Sequence, residues 1–144
     1  MSVEIILSQK QSHEVVTLSP DQTLADAAET LSRNRIGAAV VTDGEGGVLG
    51  IISERDVVRA VADSGGGALS EPVSQRMTRK VVTCTSHAGI DELMGLMTQG
   101  KFRHIPVVEG GRLKGIVSIG DVVKHRLAEI ETEHKALRDY IATA

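Results

Sequence analysis

Gly50-Ile51-Ile52-Ser53-Glu54-Arg55-Asp56-Val57-Val58-Arg59 returns later in the chain as Gly115-Ile116-Val117-Ser118-Ile119-Gly120-Asp121-Val122-Val123-Lys124. Both segments read Gly, two aliphatic residues, Ser-x-x-Asp, Val-Val and a basic residue. An internal repeat decides an architecture before any single element does. Upstream, Leu7-Ser8-Gln9-Lys10 falls on Val73-Ser74-Gln75-Arg76, and Val15-Val16-Thr17 falls on Val81-Val82-Thr83. Ser-Gln-basic and Val-Val-Thr are retained, and a one-residue gap in a Gly-rich turn joins this block to the next. The chain is two copies of one unit.

Each copy reads in the same order: a short strand ending Val-Val-Thr, a turn, a helix, two strands joined by a Gly-rich hairpin, and a second helix. Leu24, Ala27, Ala28 and Leu31 recur at the spacing of a buried helical stripe, and Ile90, Leu93, Met94 and Met97 repeat it. The residues 38–42 and 48–52 flank Asp43-Gly44-Glu45-Gly46-Gly47, and 105–108 and 112–117 flank Glu109-Gly110-Gly111. Glycine supplies positive φ in such hairpins, and Pro106 stands at the opening of its strand, where proline is tolerated. The fold class is therefore α/β (α+β), with repeats at 5–63 and 71–126. The intervening 64–70, which contains Ser64-Gly65-Gly66-Gly67, reads as a flexible linker. It lacks the Lys-Ser/Thr of a phosphate-cradling loop. Over 127–144 the second helix continues as an extension in which Val123, Leu127, Ile130, His134, Leu137 and Ile141 step by four and three residues. That is a heptad seam; it serves either packing on its own domain or a dimer.

Composition narrows the function. With 144 residues, a chain of this length buries roughly 70% of its unfolded surface and needs neither disulfide nor structural metal to fold. The single cysteine, Cys84, and the absence of Cys-x-x-Cys spacing fit a reducing compartment. No stretch approaches a membrane span and no secretory leader is legible, so a cytoplasmic location is expected. The net charge of −3 disfavours a nucleic-acid surface. Phe102 and Tyr140 are the only aromatic residues, too few for a base-stacking platform. The five histidines, His13, His87, His104, His125 and His134, show no metalloprotease spacing, and no nucleophile elbow occurs. The expectation is a protein that is not an enzyme, with no catalytic residue, metal or catalytic cofactor.

Chemistry gathers at the repeated Ser-x-x-Asp. One reading is a capping box, in which the serine accepts from an early helical amide and the aspartate favours the dipole. The other is a ligand site. Arg55 places a cation in a first helical turn, a cost that a bound anion relieves. Gly120, at the equivalent position, lets a ligand approach the backbone. Arg103 and His104 stand where copy one has Gly37 and Ala38; they are either a solvated strand edge or a second source of positive charge. A helix N-terminus, a cation, a hydroxyl and a carboxylate together suit a ribose phosphate.

The tandem Val-Val-Thr starts, the strand Phe102-Arg103-His104-Ile105-Pro106-Val107-Val108 and the two Gly-h-h-Ser-x-x-Asp motifs resemble a tandem cystathionine-β-synthase-type (CBS) domain pair, or Bateman module. The closest likeness is to short stand-alone bacterial CBS-pair proteins. The resemblance implies two βαββα repeats related by a pseudo-twofold axis, with two clefts between them. Such clefts bind AMP, ADP, ATP, S-adenosylmethionine or NAD(H). It further implies that Asp56 and Asp121 hold ribose hydroxyls and that Ser53 and Ser118 lie near ribose or phosphate. Arg103 and His104 would serve phosphate in the second cleft, and Arg55 in the first. By the same rule, Ser74, Met77, Thr78 and Arg79 would hold adenine in the Asp56 cleft, and Ser8, Ser12 and His13 in the Asp121 cleft. Ile36 and Phe102 are apolar candidates for packing on the base. The implied function is a non-enzymatic adenosine-nucleotide sensor. It would act as a homodimer on a regulated protein that the sequence does not name; the alternative is a protein–protein interaction module with vestigial clefts.

Overall fold

The computed structural model of the protein describes residues 2–10, 15–100 and 102–143. The elements are α1 (Val3–Gln9), β1 (Thr17–Leu18), α2 (Leu24–Asn34), β2 (Ala38–Thr42), β3 (Val48–Ser53), α3 (Glu54–Ser64), α4 (Val73–Arg76), α5 (Ile90–Gly100), β4 (His104–Glu109), β5 (Arg112–Ser118) and α6 (Ile119–Thr143). In copy one β2 pairs with β1 in parallel and with β3 antiparallel; in copy two β4 and β5 pair antiparallel. Both hairpins shift register at matching places, between Val41 and Thr42 and between Val107 and Val108.

The stripes read from the sequence form two separate cores. Leu24, Ala27 and Leu31 of α2 pack with Ala39, Val41, Ile52 and Ala60, while Ile90, Leu93 and Met97 of α5 pack with Ile105, Val107, Val117 and Val122. The remaining member of each stripe falls outside: Ala28 is half-buried and Met94 is exposed. Thr23 and Asp26 close a capping box on α2, which satisfies two amide groups that the helix start would otherwise leave open.

The leading helices cross over. α1 sends Val3 and Ile6 into the second core, whereas α4 sends Val73, with Met77 just beyond it, into the first. The Val3 amide donates to the Ala88 carbonyl at 2.9 Å and the Val73 amide to the Gln22 carbonyl at 2.7 Å. These matching anchors make Val3, not Leu7, the counterpart of Val73. The Ser-Gln-basic match therefore joins residues that are not spatially equivalent, because α1 runs on after α4 has ended.

Three further sequence expectations change. The opening strand of copy one begins at Thr17 rather than ending there, so Val15 and Val16 precede it. Copy two has only the bridge Cys84 to Val107, with the Cys84 amide donating to Pro106 at 3.0 Å. Pro106 lies inside β4, not at its opening, and has no N–H to lengthen this pairing. The linker is not a loose tether: Gly65–Ser70 forms a 3₁₀ helix whose Ala68 is fully buried in the first core.

Helix α6 is anchored by Val122 and His125, both buried. Beyond them its apolar seam is open to solvent: Leu127 is 56% exposed and Leu137 57%. Among the described residues no helix is long and apolar enough to cross a membrane.

Candidate functional site

Each Gly-h-h-Ser-x-x-Asp segment carries a strand edge directly into a helix, β3 into α3 and β5 into α6. In copy one the Ser53 amide and hydroxyl both donate to Asp56 Oδ2 at 2.9 Å, and the Asp56 amide donates to Ser53 Oγ at 3.2 Å. In copy two the Ser118 amide donates to Asp121 Oδ2 at 2.9 Å, and the Asp121 amide to Ser118 Oγ at 3.1 Å. The capping reading is thus fulfilled in both copies. It also holds each carboxylate rigidly at a helix N-terminus on the wall of a cleft.

Two clefts lie beside these caps. One, of about 510 Å³, is lined by Ile51, Ser53, Arg55, Asp56, Thr78 and Phe102, with Arg59, Lys80 and Arg103 adding positive charge. The other, of about 470 Å³, is lined by Leu7, Lys10, Ile36, Lys114, Ile116, Ser118 and Asp121, together with Arg35. Both volumes suit a nucleotide-sized molecule. Gly37, Ala38 and His104 line both clefts and form their shared wall.

The structure brings Ser53, Arg55, Asp56, Thr78, Phe102 and Arg103 together in the Asp56 cleft, and Ile36, Ser118 and Asp121 in the other. It corrects the expected division of charge. Arg103, in the bend that precedes β4, lines the Asp56 cleft rather than the Asp121 cleft. His104 faces both. Ser74, Met77 and Arg79 stand outside both clefts. Met77 belongs to the first core, and the Arg79 guanidinium turns back to the Ser74 carbonyl at 3.0 Å. Ser8 donates its hydroxyl to the Ile5 carbonyl within α1, at 2.8 Å, and Gly120 lines neither cleft. Ser12 and His13 lie outside the described residues.

Several lining residues were not singled out from sequence. Val15 and Val16 line the Asp121 cleft, and Val81 and Val82 line the Asp56 cleft. The doubled Val-Val was itself the available signal, since a half-buried strand alternates rather than pairing apolar neighbours. Lys10 and Arg59 stand in the repeated segments, but nothing there marked them as cleft residues, and Arg35, Lys80 and Lys114 carried no local pattern. They converge only through the fold.

Electrostatics separates the clefts. Lys10 Nζ donates to Asp121 Oδ2 at 2.9 Å and to the Ile116 carbonyl at 2.7 Å. Burial, the largest single effect, would raise the Asp121 carboxyl, but the Ser118 amide and the Lys10 ammonium together hold it below the ordinary aspartate value. Burial likewise lowers His104; Asp121 and Glu54 pull it up, while Lys10 and Arg103 push it down. Cys84 is half-buried against the second core, and burial followed by Glu92 pushes its thiol up to about 11. The shift favours the protonated thiol over the nucleophilic thiolate at neutral pH. Among the described residues no cluster of His, Cys, Asp and Glu could hold a metal ion.

Comparison with known proteins extends these observations. The CBS domain family model matches residues 8–63 and 73–128. A CBS-domain-containing protein from Agrobacterium tumefaciens is 51% identical, with a TM-score of 0.82 over 88% of this chain and 99% of that one. The CBS domain protein from Pyrobaculum aerophilum complexed with AMP is 27% identical, with a TM-score of 0.74 over 84% of this chain and 89% of that one. The CBS domain pair of protein MJ0100, in complex with 5-methylthioadenosine and S-adenosyl-L-methionine, is 26% identical, with a TM-score of 0.77 over 86% and 98%. The chain spans 71%, 61% and 81% of the length of three curated relatives that it matches at 34%, 38% and 30% identity. The duplication read from Gly50 and Gly115, the two cores with crossed leading helices and the matched family segments agree, and the chain belongs to the CBS-domain family as a tandem pair of CBS domains.

Proposed function

We propose that this CBS pair is a non-enzymatic regulatory module that binds adenosine nucleotides in the Asp56 and Asp121 clefts, AMP-like or NAD(H)-like ligands being the class it takes. One observation carries the reading: each cleft presents a helix-capping carboxylate, a serine hydroxyl and surrounding cations, an arrangement suited to a ribose and its phosphate. Two solved relatives hold AMP, or 5-methylthioadenosine and S-adenosylmethionine, which supports the same ligand class here. Asp56 and Asp121 take ribose hydroxyls, with Ser53 and Ser118 beside them. Arg55, Arg103 and His104 take phosphate, and Phe102 and Ile36 pack on the base of the Asp56 and Asp121 clefts respectively. No catalytic cofactor is required, because occupancy is the signal: a ligand shifts the orientation of the copies or of α6 by its differential affinity for two states.

Calorimetric titration of nucleotide-stripped protein with AMP, ATP, NADH and S-adenosylmethionine, with GMP as control, tests this. Saturable uptake of an adenosine compound and none of GMP is expected. Uptake of none of them transfers the function to protein–protein interaction through the CBS surface.

The exposed seam of α6, Val123, Leu127, Ile130, Leu137 and Ile141, supports a homodimer; a bacterial cytoplasm and a separate regulated protein complete the proposal. Sedimentation at micromolar concentration is expected to give a dimer, and Leu127→Glu to shift it to a single chain. A wild type that sediments only as a 15.3 kDa species contradicts the dimer.

A further inference from the structure

The two clefts are built on the same motif but are closed by different chemistry. In the Asp56 cleft, the main chain of Thr78 pairs with that of Ile51: the Thr78 amide donates to Ile51 at 2.8 Å and the Ile51 amide to Thr78 at 3.0 Å. Met77, just before it, lies over Gly50, and Leu7 occupies the same place over Gly115. Beyond Leu7, however, α1 continues to Gln9, whereas beyond Met77 the chain is already extended. The carbonyl of Ile116, the counterpart of Ile51, accepts from the Lys10 ammonium instead of from an amide. The same ammonium reaches Asp121 Oδ2. Among the described residues Asp56 has no such ion pair; the cations of its cleft stand around it without closing on the carboxylate.

We infer that Lys10 is a specificity-determining residue: a tethered cation that occupies the ribose-recognising carboxylate of the Asp121 cleft, so that the Asp56 cleft fills first and the Asp121 cleft fills only as Lys10 releases. The inference rests on the proposed nucleotide binding. Its physical basis is competition. A ribose diol binds a carboxylate by donating hydrogen bonds to its oxygens, and Lys10 already donates to one of them. The pair is about one-quarter to one-third exposed, side chains at 30% and 25%, so breaking it is affordable but not free. Asp56 Oδ2 also accepts a second bond, from the Ser53 hydroxyl at 2.9 Å, but that donor is neutral and can turn aside, whereas a ligand at Asp121 must break an ion pair; binding at Asp121 therefore carries the larger cost.

The test uses adenosine, which has a ribose diol and no phosphate, so that direct attraction between Lys10 and an anion plays no part. Amide chemical shifts of Ser53 and Ser118 report the two clefts separately. In the wild type, Ser53 is expected to reach its bound shift at lower adenosine concentration than Ser118. In Lys10→Met, which keeps the aliphatic stem, the Ser118 curve is expected to move to roughly fivefold lower concentration, the upper range for a partly exposed ion pair, with the Ser53 curve unchanged. Lys10→Gln is expected to behave alike, which guards against a folding defect peculiar to one variant. A Ser118 curve that stays in place or moves to higher concentration in both variants, while Ser53 still responds, overturns the role of Lys10 and leaves nucleotide binding standing. No response at either serine in any of the three proteins overturns the nucleotide reading and this inference with it.

Discussion

The Asp56 and Asp121 clefts share an ancestor in sequence and a cap in structure, yet one is framed by main chain and the other by a lysine side chain. The difference originates outside the motif. Copy two enters its first-cleft wall through α4, which stops at Arg76 and hands over to an extended segment; copy one enters through α1, which continues to Gln9. A duplicated Gly-h-h-Ser-x-x-Asp can therefore acquire two different surroundings without a change in its Gly, Ser or Asp, through the length of the helix that leads into each cleft.

The sharpest way to break this comparison is at the paired glycines. A methyl group added at Gly50 would lie 2.7 Å from the Thr78 carbonyl oxygen and 2.8 Å from Met77 Sδ; at Gly115 its nearest neighbours would be side-chain carbons of Leu7, the closest a methyl at 2.7 Å. Main chain cannot move aside, whereas a leucine can change rotamer. Gly50→Ala is expected to cost roughly 1–3 kcal/mol and Gly115→Ala less than about 1 kcal/mol, as read from urea midpoints at constant slope. Equal costs would show that Leu7 is held as firmly as Thr78.

A smaller effect is expected from acid. Because the Asp121 carboxyl is held below its ordinary value in the folded state, it contributes stability above the unfolded value of about 3.9, and that contribution is lost as pH falls through the folded value. Asp121→Asn is expected to be less stable than wild type by about 1 kcal/mol near pH 6, with the gap closing below about pH 4. A gap that persists unchanged in acid would show that the charge on Asp121 is not what stabilises it.

Much of this was legible before the structure. The repeat, the helix–strand–strand–helix order within each copy and most of both helical stripes follow from residue spacing, because burial on one face of a helix or strand imposes a period on the sequence; the short leading helices α1 and α4 did not show in it. The repeated Ser-x-x-Asp located both clefts. Which residues join it across the fold was not legible. Arg103 was expected to serve the Asp121 cleft because it stands ahead of copy two's hairpin, but it lines the Asp56 cleft beside the shared wall of Gly37, Ala38 and His104. Met77 was expected at the base, yet its side chain packs over Gly50 into the first core. The aligned Ser-Gln-basic residues misled for a related reason: two identities and a shared charge say nothing about where a helix ends. Lys10 was noticed as part of that match, while its partner Asp121 lies at the far end of the chain.

The central claim is that both clefts take an adenosine ligand through their capping aspartates, and calorimetry of AMP binding to wild type, Asp56→Ala and Asp121→Ala tests it most directly. The account predicts two sites per chain in the wild type, loss of the tighter one in Asp56→Ala and loss of the weaker one in Asp121→Ala. Unchanged stoichiometry and affinity in both variants would contradict it.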